Sequence, residues 1–152
     1  QVHLWDDSFS CVISANNKIV DNWNLDSYLS GRHVWVSKTG MGVGVGMTPD
    51  DVQRLGWVDE ALTKIDAKRH ISVFTRHYQA ALLLAEQDDL IVTTPSMAAR
   101  GLADSDRVVI LDPPFEIPRM RLKMVWSPLL QHDPGHRWLR QLIKSVSEEL
   151  VS

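Results

Sequence analysis

The chain has 152 residues, enough for one domain with a hydrophobic core and too few for two independent ones. Hydrophobic residues make up 44% and charged residues 23%, as in soluble globular proteins. The formal net charge is −3, and no basic stripe is visible, which argues against direct binding of nucleic acid by this chain. No apolar run is long enough to cross a bilayer, so no membrane association is expected.

The predicted elements alternate between strands and helices along the chain. In order, they are a strand over 9–15, a helix over 25–29, a strand over 33–37, a helix over 48–65, a strand over 70–75, a helix over 78–86, a strand over 90–93, a helix over 95–102, strands over 108–111 and 122–126, and a helix over 133–150. This alternation predicts an α/β fold whose mostly parallel sheet carries helices on both faces. Ligands of such sheets bind at the carboxyl ends of the strands.

Two helix starts and two apolar stripes support these assignments. Thr48 can cap a helix whose first residue is Pro49, and Asp133 with Pro134 forms the same signal near the C-terminus. The first helix is expected to bury one stripe of Val52, Leu55, Val58, Leu62 and Ile65. The last helix has an apolar face formed by Trp138, Leu139, Leu142, Ile143, Val146 and Leu150.

Several patterns resemble cofactor-binding, metal-binding or catalytic motifs but do not match them. The glycine-rich run over 40–46 fits neither the dinucleotide fingerprint nor the P-loop, and is expected to be a surface loop. His132, Asp133 and His136 are a poor metal site, because Asp133 is better used as a helix cap and no third strong ligand is evident. Cys11 is the only cysteine and lies in a predicted strand, which indicates a buried thiol. No nucleophile elbow is present, so neither cofactor, metal nor enzymatic activity is predicted.

Polar residues cluster where predicted strands end. The three places are Ser37 to Thr39, Arg76 to Tyr78, and Thr93 to Pro95. The last two precede helices, whose free N–H groups would face the same cleft, and Arg76 suits a carboxylate. These residues therefore predict a small-molecule site, while the alternative is that the threonines cap helices and Arg76 is solvated.

Residues 112–118 (DPPFEIP) and 125–127 (VWS) are the most telling segments of the chain, and residues 133–140 (DPGHRWLR) come close behind. They resemble the effector-binding domain of LysR-type transcriptional regulators, in the branch that senses aromatic and plant-derived compounds. Residues 25–37, 80–86 and 89–95 add to the match, which covers nearly the whole chain.

The resemblance implies two α/β lobes of the type 2 periplasmic-binding-protein kind, with a small aromatic or carboxylate inducer between them. Residues 21–117 would form a complete second lobe, and residues 1–20 and 118–152 part of the first. A helix-turn-helix would lie upstream, so DNA would be bound only through that missing domain. The family also implies a cytoplasmic homo-oligomer.

The ligand contacts implied by the family fall at Ser37, Thr39, Arg76, Tyr78 and Thr93. Arg76 and Tyr78 stand where the family pattern leads us to expect proline and phenylalanine, which favours a more polar or anionic ligand. The leading alternative is a solute-binding protein of a transport system, which shares the two-lobe fold. A small α/β enzyme, or a domain that has lost ligand sensing and serves only in assembly, are further alternatives.

Overall fold

The computed structural model of the chain describes residues 1–36, 56–87 and 89–151. The predicted helix start at Thr48, the glycine-rich run, and the candidate ligand contacts Ser37 and Thr39 lie outside these residues. The described part contains seven strands: β1 (Val2–Asp7), β2 (Phe9–Ser14), β3 (Arg32–Val36), β4 (His70–Thr75), β5 (Leu90–Pro95), β6 (Val108–Leu111) and β7 (Met120–Met124). Its five α-helices are α1 (Leu25–Ser30), α2 (Trp57–Lys64), α3 (Tyr78–Leu84), α4 (Ser96–Ala99) and α5 (Pro134–Val151).

Five strands form a mixed sheet in the order β4-β3-β5-β2-β6. Strand β3 is parallel to both β4 and β5, whereas β2 runs antiparallel to β5 and β6. The carboxyl ends of β3, β4 and β5 therefore lie beside the beginning of β2. We call this end of the strands the carboxyl edge of the sheet. The predicted α/β class with a mostly parallel sheet is confirmed, with β2 as the one reversed strand of this sheet in the described part.

The sheet has a hydrophobic core on each face, because neighbouring strand residues point to opposite sides. On one face, β2, β3 and β5 contribute valines that pack against α3 and α4 in a cluster of Val12, Val34, Val92, Ala81, Ala85 and Ala99. On the other face, the buried cluster consists of Cys11, Ile13, Ile91, Tyr28 of α1 and Leu62 of α2. Cys11 is fully buried, which confirms the predicted core thiol.

The chain divides into two compact units, one formed by residues 1–7 with 119–152 and the other by residues 8–118. The lobe division expected from the resemblance, with residues 1–20 and 118–152 in one lobe, stays a prediction. Strand β2 forms backbone pairs with β5 and β6 and so lies inside the five-stranded sheet.

The smaller unit contains the antiparallel pair β1 and β7 and the long helix α5. The backbone N–H of His136 donates to Asp133 Oδ1 over 2.7 Å, which confirms the predicted cap of α5. The apolar face of α5 lies largely in solvent, with Trp138 64% exposed and Val146 45% exposed. No helix in the described part of the chain is long and apolar enough to cross a membrane.

Most predicted elements appear within one or two residues of their expected bounds. Strand β7 begins two residues earlier than predicted, and the helix expected over 95–102 divides into α4 and a 3-10 turn over Arg100–Leu102. Of the stripe predicted for the helix over 48–65, Val58 and Leu62 are buried but Ile65, which follows the end of α2, is 48% exposed. Val52 and Leu55 lie outside the described residues, and within them the helix begins at Trp57, after Gly56 with a φ of 91°. Strand β1 had not been predicted as a separate element.

Candidate ligand-binding site

The carboxyl ends of the three parallel strands lie side by side at one edge of the five-stranded sheet. Val36 of β3 pairs with Thr75 of β4. Val34, two residues earlier, pairs with Val92 of β5. Continuing this register brings Thr94 level with Val36 and Thr75. Since neighbouring strands are about 4.8 Å apart, the residues that follow β4 and β5 start about 10 Å from each other, a spacing that suits a small organic molecule.

Arg76 follows β4 directly and carries an exposed guanidinium. Within the described part of the chain, this side chain has no hydrogen bond or ion pair. Just after it, the backbone N–H of His77 donates to Thr75 Oγ1 over 3.2 Å, which fixes the turn into α3. Tyr78, the first residue of α3, is partly buried. Arg76 is thus a cation at the carboxyl edge that is available to an anionic ligand.

Thr93 occupies a different environment from the other predicted contacts. It is buried, and its Oγ1 lies 2.9 Å from the hydroxyl of Tyr28 and 3.6 Å from Cys11 Sγ. The Thr93 hydroxyl therefore has its contacts in the buried cluster on the face of the sheet where α1 and α2 pack. The structure brings Arg76 and Tyr78 together at the edge, and places Thr93 beneath it.

Three serines meet at the same edge, and we call them the serine cluster: Ser8, Ser10 and Ser96. Ser96 Oγ lies 2.9 Å from Ser8 Oγ and 2.7 Å from Ser10 Oγ. The backbone N–H of Ser96 also donates to the carbonyl of Ser8 over 2.9 Å. Hydroxyl groups both donate and accept hydrogen bonds, so this cluster can orient hydroxyl, carbonyl or carboxylate groups of a ligand.

On the opposite face of the sheet, the same edge carries an aromatic pair of Phe9 and Trp57. Their ring centroids are 6.0 Å apart, and the rings meet edge to face at 73°. Phe9 pairs with Pro95, the last residue of β5, so the pair stands at the carboxyl edge. Phe9 is buried, whereas Trp57 is 46% exposed. The edge therefore presents hydroxyl groups on one side and aromatic rings on the other.

A buried polar network lies beneath the aromatic pair. Arg69 donates from Nε and Nη2 to the two carboxylate oxygens of Asp59, over 2.7 and 2.6 Å. Burial alone lowers the pKa of Arg69, but its interactions with Tyr28 and Asp59 outweigh burial and leave that pKa raised. Burial, aided by the charge of Arg69, lowers the pKa of His33 to about 3. Burial also raises the pKa of Cys11 to about 12, so the thiol stays protonated.

Two cavities border the opposite edge of the sheet. One, of about 390 Å³, is bordered by Ser14 and Arg107, and another, of about 500 Å³, by Gly31 and Arg32. Both arginines have acidic partners, because Arg107 pairs with Glu86 and Arg32 with Asp89. Within residues 1–36, 56–87 and 89–151, no three His, Cys, Asp or Glu side chains are grouped so as to hold a metal ion.

Sequence reasoning did not single out the serine cluster or the aromatic pair. Ser8, Phe9 and Ser10 precede Cys11 in strict alternation, which signals a strand with one polar and one apolar face. What the pattern could not show is the partner, since Ser96 lies 86 residues from Ser10 along the chain. The pairing of β2 with β5 creates the cluster.

The mixed five-stranded sheet with helices on both faces is an α/β fold, and in such folds small molecules bind at the carboxyl ends of the strands. Comparison with known families agrees: residues 44–148 match the LysR substrate binding domain. The chain belongs to this family, and its fold is of the type 2 periplasmic-binding-protein kind. The resemblance noted in the sequence is thereby confirmed.

The relatives of the chain include transcriptional regulators, and the similar solved structures include regulatory and effector-binding domains. The chain is 26% identical over 145 residues to the HTH-type transcriptional regulator SyrM 1 of Sinorhizobium fredii, which covers 95% of this chain and 40% of that protein. The regulatory domain of MexT, a transcriptional activator in Pseudomonas aeruginosa, superposes with a TM-score of 0.73 at 25% identity, covering 94% of this chain and 63% of that one. The effector binding domain of QuiR, solved with shikimate, shares the fold with a TM-score of 0.61 at 12% identity, covering 97% and 65%.

The chain thus spans about 40% of the length of the curated relative and about two thirds of the solved regulatory domains.

Proposed function

We propose that the chain is the effector-binding domain of a LysR-type transcription regulator and that its effector is a small organic acid. The observation that carries this proposal is the exposed, unpaired guanidinium of Arg76 at the carboxyl edge of the parallel strands, on the same edge as the serine cluster. A carboxylate would form charge-assisted hydrogen bonds with Arg76, while its remaining polar groups would bond to the serines. The family match and the regulator relatives favour this function over a transport-type binding protein.

Each candidate residue would have its own role in binding the effector. Arg76 pairs with the carboxylate, and Tyr78 stacks on or hydrogen-bonds to the ligand body. Ser37 and Thr39, outside the described residues, follow β3 in sequence and remain candidates for orienting the ligand. Thr93 would act indirectly, by fixing the end of β5 through its bond to Tyr28.

In this proposal, residues 8–118 are the second lobe and residues 1–7 with 119–152 are part of the first. Support comes from α5, whose apolar side chains Leu142 and Val146 are 44% and 45% exposed. Such a stripe on a single helix is unusual for a complete domain. We propose that the rest of the first lobe, from the upstream part of the parent polypeptide, covers it.

The same parent would carry a helix-turn-helix domain that binds DNA, and would act in the cytoplasm as a homo-oligomer. Effector binding would shift an equilibrium between regulatory states only as far as the effector's affinities for them differ. The chain described here would bind the effector and not DNA, in line with its net charge of −3.

The test compares Arg76→Ala with Arg107→Ala, a matched loss of one exposed arginine at the opposite edge of the same sheet. Calorimetric titration with benzoate, cyclohexanecarboxylate and shikimate measures affinity for acids of different shape. We expect Arg76→Ala to weaken binding roughly 10- to 100-fold, since a charge-assisted pair is worth about 1.5–3 kcal/mol. Arg107→Ala should leave binding unchanged. Equal affinities in both variants would refute the proposed site.

The coding sequence upstream of Gln1 provides an independent test. A helix-turn-helix with a basic recognition helix, followed by the start of an α/β lobe, is the expected result. An export signal without such a motif would contradict the regulator and favour the transport-type alternative.

A further inference from the structure

The proposed binding of a carboxylate by Arg76 and the serine cluster does not involve the aromatic pair of Phe9 and Trp57. Trp57 opens α2, and 46% of its surface is accessible at the carboxyl edge of the sheet. A tryptophan offers a large planar apolar surface, together with one N–H donor. Its edge-to-face contact with Phe9 fixes one side of the ring. An indole held in this way can form one wall of a ligand site.

A buried ion pair lies two residues further along α2 from Trp57. Asp59 and Arg69 have side chains that are each only 3% exposed, and they form two hydrogen bonds. The hydroxyl of Thr63 donates to the carbonyl of Asp59 over 2.8 Å, one turn on. Leu62, on the same helix, is fully buried in the core. The first turn of α2 is therefore anchored from within.

Burying such an ion pair gains little stability, because the desolvation of both charges offsets their attraction. What the pair does supply is geometry, since an arginine and a carboxylate joined by two hydrogen bonds fix direction as well as distance. Helix α2 carries the partly exposed ring of Trp57 to the carboxyl edge, on the face of the sheet opposite the serine cluster. The pair is placed to hold that ring in a single orientation.

We propose that Trp57 is a specificity-determining residue that contacts a planar ring of the effector, and that the Asp59–Arg69 pair is its positioning device. This inference rests on the proposed function, because it takes the carboxyl edge of the sheet as the effector site. The effector is then an acid with two different sides: polar groups that meet Arg76 and the serine cluster, and a flat ring that meets Trp57.

The test uses the 152-residue chain labelled with 5-fluorotryptophan, which gives one ¹⁹F resonance for each of its six tryptophans. Trp57→Phe identifies the Trp57 resonance. Titration compares benzoate with cyclohexanecarboxylate, two acids that differ in the planarity of the ring. We expect benzoate to bind more tightly and to shift the Trp57 resonance.

Removal of the ring should abolish this preference. Trp57→Ala is expected to weaken benzoate binding roughly 3- to 10-fold, from the worth of one aromatic contact. Binding of cyclohexanecarboxylate should change less, and Trp57→Phe should restore most of the preference. Leu83→Ala, which truncates a side chain that is 70% exposed, serves as the control and should change neither affinity.

The positioning role has its own readout. Asp59→Asn should shift or broaden the Trp57 resonance in the absence of ligand, whereas Glu60→Gln, an exposed neighbour on α2, should not. An unmoved resonance in folded Asp59→Asn would overturn the positioning role.

The two proposals can fail separately. If benzoate binds in an Arg76-dependent manner but neither shifts the Trp57 resonance nor responds to Trp57→Ala, the specificity role is wrong and the proposed site stands. If neither acid binds, the acid-binding function is wrong and the inference falls with it.

Discussion

The buried pair of Asp59 and Arg69 allows a prediction whose size follows from the structure. Asp59→Ala removes both carboxylate oxygens that Arg69 contacts at 2.6 and 2.7 Å, at a position where each side chain is 3% exposed. The guanidinium keeps its charge, because arginine is not deprotonated in proteins. It is then left buried without a counter-charge, which costs about 3–5 kcal/mol. Against a typical domain stability of about 5–15 kcal/mol, this is a large share.

Urea unfolding followed by far-ultraviolet circular dichroism measures the free energy of unfolding of each variant. Glu60→Ala removes one exposed carboxylate from the same helix and should change stability by no more than about 0.5 kcal/mol. Adding Arg69→Met to Asp59→Ala should recover most of the loss, since removing both partners of a buried pair is often nearly neutral. The reasoning is refuted if Asp59→Ala costs no more than Glu60→Ala, or if the double variant is the least stable of the set.

Three further predictions concern residues in the buried core or packed against it. Burial and the charge of Arg69 lower the pKa of His33 from 6.5 to about 3, so the unfolded chain binds one more proton than the folded chain between these values. The contribution of His33 to the free energy of unfolding is therefore fully present above pH 6.5, and it falls by up to about 1.4 kcal/mol per pH unit below that value. In urea titrations from pH 7 to 4, the free energy of unfolding of His33→Gln should fall less steeply than that of the unchanged chain. An equal slope in the two proteins would disprove the account. Gly31→Ala should cost about 1–3 kcal/mol, because its Cβ would overlap the buried Ile91 side chain, and Ile91→Val should recover part of that loss in the same unfolding assay. Thr94→Val should be neutral or slightly stabilising, because the buried Thr94 hydroxyl has no partner among the described residues; a loss above about 1 kcal/mol would show that it has one.

Much of the fold could be predicted because local patterns decide it. The cap formed by Asp133, the short helix α1 and the strands β4, β5 and β6 each have signals within a few residues. The reversed direction of β2 and its place between β5 and β6 were not visible, because these pairings join residues between 78 and 100 positions apart. That pairing also explains why the boundary between the two compact units lies at residue 7.

The candidate site was predicted only in outline. Arg76 and Tyr78 could be identified because they follow a strand whose direction the alternation of elements indicates. Thr93 belongs to the same strand end, but its side chain points to the opposite face of the sheet from Thr94 and reaches Tyr28. A shift of one residue in the strand register exchanges these two faces, and the sequence alone does not determine the register. The aromatic pair depends on the packing of α2 against β2, which no local pattern records.

The central claim is that a small organic acid binds at the carboxyl edge of the five-stranded sheet. Hydrogen–deuterium exchange of the chain, with and without the acid that binds most tightly, tests this claim most directly. The account predicts slower exchange in residues 8–10, 76–80 and 96–99, and no change at the opposite edge in residues 14–16 and 105–107. Protection confined to the opposite edge or to α5 would contradict it.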